Sequence, residues 1–330
     1  MARTLDPAEQ RRLLERLADG QWHGGDELAE DFGIGRAALS KRVEQLREAG
    51  LAIESLAGRG YRLQQRLDLL DQAVMREAAG AALDGVKLSL LDWTDSTNAQ
   101  LLAADSQQDP QLLLAEGQTA GRGRRGRSWI APYAANLNLS LAWKFADWPP
   151  QLPALSLAIG VALWRHLRQL GLQPHQLKWP NDLWLGGAKL AGILIEHRGE
   201  VGGPCRVVVG VGLNVYRPPA EHPQPDQAWT SLDQHLPDFG GRSRLAGGLA
   251  AALIVAVREF AASGLQSFTA DFARADLLAN QAITVSDAKG ERQGIARGID
   301  GQGALRMEAG GQIRSLYSGE ISVRPQALQP

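Results

Sequence analysis

The sequence has 330 residues, a net charge of −1, a pI near 6.6 and a hydrophobic fraction of 44%. This length accommodates two or three domains, and the near-neutral charge excludes a protein that is basic overall, so any nucleic-acid contact must be local. One cysteine, Cys205, excludes a disulfide framework and fits a reducing compartment. The N-terminus lacks the apolar core of a signal peptide, and the longest nearly apolar run, 245–257, is too short to span a bilayer. We therefore expect a cytoplasmic protein without a membrane segment.

Residues 1–66 are predicted to form a winged helix-turn-helix. A first helix begins at Asp6-Pro7, where Asp is the cap and Pro takes the first helical position. Two more helices are predicted at about 27–32 and 36–49, each followed by a glycine. Residues 51–53 and 61–63 are predicted to be short strands around a turn that contains glycine. Three short helices followed by a hairpin are typical of this DNA-binding motif.

The charges of this region are unevenly distributed. Residues 1–35 carry four basic and eight acidic side chains, whereas residues 36–66 carry seven basic and three acidic ones. The positive charge therefore falls on the third helix and the hairpin, the parts that would meet phosphates and the major groove. We predict DNA contacts by six side chains: Arg36, Ser40, Lys41, Arg42, Arg47 and Arg59. A small helical interaction module with a solvated basic face is the alternative.

The central part of the chain is predicted to mix strands and helices, which gives an α+β core. Hydrophobic periodicity predicts strands at 87–93, 112–115, 136–145, 178–179, 189–196 and 207–215, and helices at 67–79, 153–170, 244–263 and 267–275. In strand 136–145 large apolar residues alternate with small or polar ones, and this small face is either cleared for a ligand or packed by a neighbouring element. Residues 217–229 are predicted to be an exposed, proline-rich loop, and short strands alternate with glycine turns after Asn280.

The most unusual segment is GRGRRGRSW at residues 121–129, here called the arginine loop. Glycines let a backbone approach a ligand closely, and guanidinium groups bind carboxylate and phosphate oxygens, so the loop suits a ligand with two negative groups. Its spacing also matches the Gly-x-Gly-x-x-Gly dinucleotide fingerprint, which requires a helix to follow. The next residues, ending at Pro132, are a poor helix start, and we reject that interpretation. Taken alone, the loop is equally well explained as a solvated basic loop or a nucleic-acid patch.

A second unusual segment is KWPND at residues 178–182, followed by GGAKLAGILIE at 186–196. Together with the arginine loop, these strings closely resemble the signature of the biotin–protein ligases, and the resemblance covers nearly the whole chain. Residues 35–41 also resemble the N-terminal domain of those ligases that double as biotin-operon repressors. The resemblance implies a catalytic domain with a class II synthetase-like mixed sheet over 67–276, and an SH3-like β-barrel over 277–330.

The resemblance also implies a reaction and its residues. Biotin and ATP would give biotinyl-5′-AMP and pyrophosphate, and a lysine of a biotin carboxyl carrier protein would then take the biotin and release AMP. Catalytic roles fall to Lys189, Arg124 and Asp182, the last holding either the incoming lysine or Mg²⁺-linked phosphates. Biotin-binding roles fall to Ser96, Thr97, Asn98, Gln118, Arg122, Gly123, Arg124 and Lys189. Adenylate-binding roles fall to Arg124, Arg127, Trp129, Asn181, Asn214 and Trp229.

Some of these residues also have a purely structural interpretation. Residues 96–98 are sufficient as a helix cap, Asn181 and Asp182 as a turn after Pro180, and Lys189 as an exposed turn lysine. Mg²⁺ is expected with ATP, held by phosphates and water rather than by a protein cage. The six histidines lack the spacing of metal ligands.

The partners implied by the resemblance are the carrier protein, operator DNA and a second copy of the chain, with the homodimer promoted by biotinyl-5′-AMP. One alternative is a biotin-sensing transcription factor without ligase activity. Another is a ligase whose winged helix has no regulatory role. A lipoate ligase is disfavoured because the two unusual strings together indicate biotin.

Overall fold

The computed structural model describes residues 7–200, 202–218, 225–287, 290–317 and 322–325. The predicted Asp6 cap lies outside these residues, as do Pro219 and Pro223 of the proline-rich loop.

The N-terminal region is a winged helix-turn-helix, as predicted. Its helices are α1 (Pro7–Leu17), α2 (Gly25–Asp31) and α3 (Arg36–Glu48), and its antiparallel hairpin is formed by β1 (Ile53–Leu56) and β2 (Gly60–Leu63). Leucines at helical spacing bury one face of each helix, among them Leu14, Leu28 and Leu39. Gly60, at a φ of +93°, closes the hairpin against the backbone of His23, where a side chain has no room.

The predicted helix over 67–79 is wrong in its first part. Helix α4 (Gln72–Ala79) begins only after Asp71, whose side chain accepts hydrogen bonds from the backbone N–H groups of Ala73 and Val74 at 2.7 and 3.1 Å. This cap fixes the start of the helix. The residues before it run as an extended linker, and the Leu70 N–H is satisfied by the buried carboxylate of Glu116 at 2.7 Å.

The centre of the molecule is a seven-stranded mixed sheet with the strand order β3-β4-β5-β9-β8-β7-β6. Its strands are β3 (Lys87–Thr94), β4 (Gln111–Gln118), β5 (Asn136–Phe145), β6 (His175–Lys178), β7 (Asp182–Leu185), β8 (Ala188–Gly199) and β9 (Cys205–Asn214). Only β3 and β4 are parallel, and the other neighbouring strands are antiparallel. Strand β7 was not predicted: it follows the motif directly and forms a hairpin with β8 across Gly186 and Gly187.

The sheet separates a large apolar core from the side that carries polar groups. Helices α6 (Leu155–Gln169), α7 (Arg242–Ser263) and α8 (Thr269–Ala275) belong to the large core, which includes Leu137 and Leu139 of β5. Helix α5 (Thr97–Ala103) packs on β4, β5 and β9 through a smaller cluster around Leu101 and Ala142. The alternation predicted for β5 is therefore confirmed, and Asn138 and Ser140 lie on the side of α5.

Helix α7 agrees with the helix predicted over 244–263, except that it begins two residues earlier, and the nearly apolar run at 245–257 forms its middle. Within the described residues it is the one helix whose length and mean hydropathy of 1.7 match a membrane span. It packs against α4, α6 and β5, and its first residue, Arg242, is fully buried in an ion pair with Glu116 at 2.7 Å. Its composition is accounted for by its position as a core helix.

The C-terminal region is a small antiparallel sheet, in agreement with the predicted series of short strands and glycine turns. Its strand order is β13-β12-β11-β10-β14, formed by β10 (Ala282–Asp287), β11 (Gly290–Ile299), β12 (Leu305–Ala309), β13 (Gln312–Leu316) and β14 (Ser322–Pro325). Trp179 of the KWPND motif donates its indole N–H to the carbonyl of Gly303 at 3.0 Å. This bond joins the central sheet to the C-terminal one.

Candidate active site

Most of the predicted site residues surround one cavity on the α5 side of the central sheet. Its walls come from the N-terminus of α5, the end of β4, the arginine loop, and the middle of β5, β8 and β9. Its lining residues are Ser96, Thr97, Asn98, Gln118, Arg122, Gly123, Arg124, Trp129, Asn138, Leu139, Asn181, Lys189, Gly192, Ile193, Leu194, Gly210, Val211 and Gly212. Residues up to 116 positions apart in sequence thus face one space, which is the arrangement of a binding site.

One end of the cavity is polar. Ser96 caps α5, and the next residue, Thr97, donates both its backbone N–H and its hydroxyl to Gln118 Oε1, at 2.8 and 3.2 Å. The Ser140 hydroxyl lies 2.6 Å from Asn98 Oδ1 and 2.7 Å from Thr97 Oγ1. These buried groups are fixed by one another, so the cavity presents oriented donors and acceptors.

Two glycines of β9 make room for side chains of the site. A Cβ atom at Gly210 would overlap the amide of Asn98, and one at Gly212 would overlap the ring of Trp129. Strand interiors normally favour β-branched residues, because glycine has no side chain to pack. Here the missing side chains let Asn98 and Trp129 lie directly on the sheet.

The arginine loop folds as a hairpin. Gly123 N–H donates to the Arg127 carbonyl at 2.7 Å, Trp129 N–H donates to the Gly121 carbonyl at 2.8 Å, and Arg125 at the tip has a φ of +58°. Only a single short turn of 3-10 helix, Arg124–Gly126, occurs in the loop. The absence of a following helix in this described segment agrees with the rejection of a dinucleotide fingerprint.

The arginines of the loop have different positions. Arg122 donates to Glu196 Oε1 at 3.0 Å, and the other oxygen of that carboxylate accepts from Asn98 at 2.9 Å. Arg124 donates to Asn181 Oδ1 at 3.1 Å. Burial lowers the pKa of the Arg124 guanidinium, and Arg125 and Arg127 act in the same direction, while Asp182 opposes them. An adjoining open cavity is lined by the loop, including Arg127. The loop therefore spans the site from its polar end to this outer cavity.

Lys189 lies at the opposite wall of the cavity. Its Nζ is 2.8 Å from Asp182 Oδ1 and 5.8 Å from the centre of the Trp129 ring, and both partners of the ion pair are about one-sixth exposed. The main chain of Lys189 is held between residues 228 and 230 by two hydrogen bonds of 3.0 Å. Lys189 is a constrained residue rather than a solvated turn lysine.

Four predicted residues do not line the main cavity. Asp182 contacts it through Lys189, and Arg127 lines the outer cavity. Asn214 donates to the Thr230 carbonyl at 3.1 Å, and Trp229 adjoins Lys189 by a backbone bridge. Their proposed contacts with a nucleotide stay predictions.

The predicted DNA contacts also differ in position. Arg36, Ser40, Lys41 and Arg59 are exposed on α3 and the hairpin, although Arg36 is paired with Asp26. Arg42 points inward, donates to Glu9 at 2.5 Å and is only 12% exposed. Arg47 binds the Ile53 carbonyl and Glu44. All six DNA contacts stay predictions, and the charge of Arg42 is paired with Glu9 within the fold.

Several residues of the site were not assigned from the sequence, among them Asn138, Glu196, Gly210 and Gly212. The alternation of β5 drew attention to the small face of that strand without assigning Asn138, and glycines in an otherwise β-branched strand were a usable signal for Gly210 and Gly212. Glu196 gave no signal, because its partners are distant in the chain.

The comparison with known proteins agrees with this geometry. Residues 88–214 match the Biotin/lipoate A/B protein ligase family, residues 9–62 match an HTH domain, and residues 279–324 match the Biotin protein ligase C terminal domain. The bifunctional ligase/repressor BirA of Escherichia coli (strain K12) is 37% identical over 314 residues, which cover 95% of this chain and 96% of that protein. The biotin–[acetyl-CoA-carboxylase] ligase of Mycobacterium tuberculosis is 36% identical over 268 residues, or 79% of this chain and 97% of that protein.

A solved structure shows the same fold. The biotin protein ligase from Aquifex aeolicus in complex with biotin and ATP has a TM-score of 0.60 and 24% identity, and the match covers 73% of this chain and 99% of that one. The fold, the site and the full-length identity to ligases agree with one another. The chain therefore belongs to the biotin–protein ligase family, among the bifunctional ligase/repressors that carry an N-terminal helix-turn-helix domain.

Proposed function

We propose that this protein activates biotin with ATP to biotinyl-5′-AMP and transfers biotin to a lysine of a biotin carboxyl carrier protein. The observation that carries the proposal is that Arg122, Arg124 and Lys189 line the same cavity as Thr97 and Gln118. Cationic side chains together with fixed amide and hydroxyl groups suit a ligand with a charged tail and a polar head.

Biotin fits this distribution of groups. Its ureido ring would bind among Ser96, Thr97, Asn98 and Gln118, where hydroxyl and amide groups are already oriented. Its thiophane ring and chain would lie along the apolar wall formed by Trp129, Val211 and Ile193. Its carboxylate would then reach the cationic end near Lys189 and Arg124.

The first step joins two anions, so its barrier is lowered mainly by neutralising charge and positioning the reactants. A carboxylate oxygen of biotin attacks the α-phosphorus of ATP as the bond to the β-phosphate breaks, and pyrophosphate leaves. Arg122 and Arg124 would hold the carboxylate and the α-phosphate, and Arg127 the outer phosphates. Lys189 would stabilise charge on the reacting oxygens, with the adenylate contacted by Trp129, Asn181, Asn214 and Trp229.

In the second step the carrier lysine, as the free amine, attacks the carbonyl carbon of the anhydride, and AMP leaves with the electrons of the bond that breaks. Exclusion of water would protect the anhydride. Mg²⁺ would be held by phosphates and water. In the described part of the chain no group of three or more His, Cys, Asp or Glu side chains forms a metal cage.

We also propose that the winged helix binds operator DNA, that biotinyl-5′-AMP promotes a homodimer, and that the protein works in the cytoplasm. The exposed Lys41 and Arg59 support the DNA contact. For the three domains we propose the limits 1–66, 67–276 and 277–330, because the extended linker and the Asp276 turn fall at these positions.

Biotin-dependent ATP–pyrophosphate exchange, followed by transfer to a carrier domain, tests the ligase proposal. We expect Lys189→Ala to lower exchange by about 100-fold, the size of the loss when one group that stabilises transition-state charge is removed. Lys144→Ala, an exposed lysine on β5, is the matched control and should stay within about twofold of the parent. Undiminished exchange in Lys189→Ala would place the chemistry elsewhere. A parent that binds biotin without exchange or transfer would favour the sensor.

A further inference from the structure

We infer that Asn138 is a positioning residue for the biotin site, which sets the orientation of Gln118 and holds Trp129 against the sheet. The inference rests on the proposed function, since it concerns the same cavity. Asn138 lies in the middle of β5 and is 1% exposed. It is a lining residue at the junction of the polar and apolar walls.

Each polar atom of this side chain has a partner. Asn138 Oδ1 accepts from Trp129 Nε1 at 3.2 Å and from Gln118 Nε2 at 3.3 Å. Asn138 Nδ2 donates to the Ala115 carbonyl at 3.4 Å. One buried amide thus joins the arginine loop, the end of β4 and the middle of the sheet.

The direction of these hydrogen bonds is fixed by groups that have only one role. An indole N–H can only donate and a backbone carbonyl can only accept, so Trp129 and Ala115 orient the Asn138 amide. Asn138 Oδ1 then requires the amide nitrogen of Gln118 to face it. The oxygen of Gln118 consequently faces Thr97, whose backbone N–H is a donor at 2.8 Å. The orientation of Gln118 therefore depends on the loop tryptophan through Asn138.

Trp129 is the second side chain positioned in this way. Its ring lies on Gly212, where a Cβ would overlap it, and 5.8 Å from Lys189 Nζ. Without the bond to Asn138 the N–H of this half-buried indole would lose its partner, and an unpaired donor that is shielded from water costs free energy. The ring would move to reach water, and the apolar wall beside Lys189 would move with it.

The test compares Asn138→Leu with Gln111→Leu. Gln111 is also a buried amide, but it lies at the far end of β4 and donates to Asp105 and Asp109, outside the site. We expect both variants to lower Tm to a similar extent. Only Asn138→Leu should raise the KM for biotin in the exchange reaction, by about tenfold, because hydrogen bonds of ordinary strength are lost. Its kcat should stay within about threefold of the parent value. The Kd for biotin, measured by titration calorimetry, should rise by the same factor.

A double-mutant cycle separates positioning from general loss of packing. Trp129→Phe keeps a ring but removes the N–H, so Asn138→Leu should raise the biotin Kd less in that background, by about threefold or less. Equal effects of Asn138→Leu in both backgrounds, or equal KM changes in Asn138→Leu and Gln111→Leu, would overturn the assignment. If the parent bound biotin but gave no exchange, the proposed ligase activity would fail, and the calorimetric cycle would still decide the role of Asn138.

Discussion

The ion pair of Lys189 and Asp182 adds a candidate role for Asp182 that the sequence did not indicate. From the sequence, Asp182 had two candidate roles, toward the incoming lysine or toward Mg²⁺-linked phosphates. The 2.8 Å contact with Lys189 Nζ adds a third, which is to orient the lysine before the nucleotide arrives. In the proposed mechanism Lys189 contacts the adenylate in both steps, so a carboxylate that holds its ammonium group in place would affect both.

We expect Asp182→Asn to lower biotin-dependent exchange by about tenfold, since Lys189 loses the negative charge that is paired with its ammonium group. Transfer from preformed biotinyl-5′-AMP to the carrier should fall by a similar factor. The two half-reactions are measured separately, with Asp147→Asn, an exposed aspartate after β5, as the matched control. Loss of transfer with normal exchange would instead assign Asp182 to the incoming lysine.

Residue roles could be predicted where a local pattern or motif marked them. The caps at 96–98, the arginine loop and Lys189 were found in this way, and the structure brings them to one cavity. Asn138 and Glu196 could not be assigned, because their partners lie on other elements. The partners of Asn138 are up to 23 positions away in sequence, and those of Glu196 up to 98. For Arg42, helical spacing alone did not show the bond to Glu9, which lies 33 positions away in sequence.

At the scale of elements, strands with a strict pattern were predicted best. The limits of β5 were predicted exactly, because its alternation persists over ten residues. Strand β7 has four residues between a turn and a Gly-Gly turn, so it is too short for periodicity to show. The linker before α4 has the leucines of a helix, but the buried Glu116 carboxylate binds its backbone and keeps it extended.

The joint between α8 and β10 carries a buried carboxyl group. Asp276 is 7% exposed; its Oδ1 accepts from the Leu278 N–H at 2.9 Å, and its Oδ2 is buried without a hydrogen-bond partner. Burial raises the pKa of Asp276 to about 6, although the bond from Leu278 acts in the opposite direction. The native carboxyl therefore retains its proton at a pH at which the unfolded chain has lost it.

The pH dependence follows from this raised pKa. The contribution of Asp276 to the free energy of unfolding is most favourable below about pH 4, where the carboxyl is neutral. This contribution is lost as the pH rises toward 6, because above pH 6 the native state must hold a buried negative charge. We expect Asp276→Asn to raise the free energy of unfolding at pH 7.5, by on the order of 2 kcal/mol. The difference from the parent should shrink at pH 4, as measured by denaturant titration. A difference that does not change with pH would show that Asp276 does not titrate in this way.

At the scale of the whole molecule, one buried carboxylate joins the winged helix to the catalytic part. Glu116 of β4 is fully buried and accepts from Arg11 of α1 at 2.8 Å and from Arg242 of α7 at 2.7 Å. Tyr133 and Ala134, just after the arginine loop, belong to the same apolar cluster as the leucines of α1 and α3. The DNA-binding part is therefore packed against the segment that leads out of the ligand loop.

This contact gives the proposed regulation a physical route, which DNA binding can test. Lys41→Ala removes one exposed cation of α3, so the slope of log K against log salt on a mixed-sequence duplex should fall by about one. Lys87→Ala, an exposed lysine of β3, should leave the slope unchanged.

Biotin with ATP should tighten binding by the parent, as measured by fluorescence anisotropy. Equal slopes for both variants would argue against α3 as the DNA-contacting helix, and unchanged binding with ligands would indicate a ligase without regulation.

The apolar cluster that contains Tyr133 and Ala134, together with the ion pair of Arg11 and Glu116, also limits how freely this architecture can be rearranged. A catalytic fragment that begins at the linker would expose an apolar surface beside its own arginine loop. Glu116 would retain only one of its two arginine partners. A different DNA-binding domain fused at the same point would bury that surface only if it supplied an equivalent arginine and a complementary leucine surface. The two domains are separated by a boundary in the sequence, but because each completes the packing of the other, we do not expect them to be interchangeable with unrelated domains.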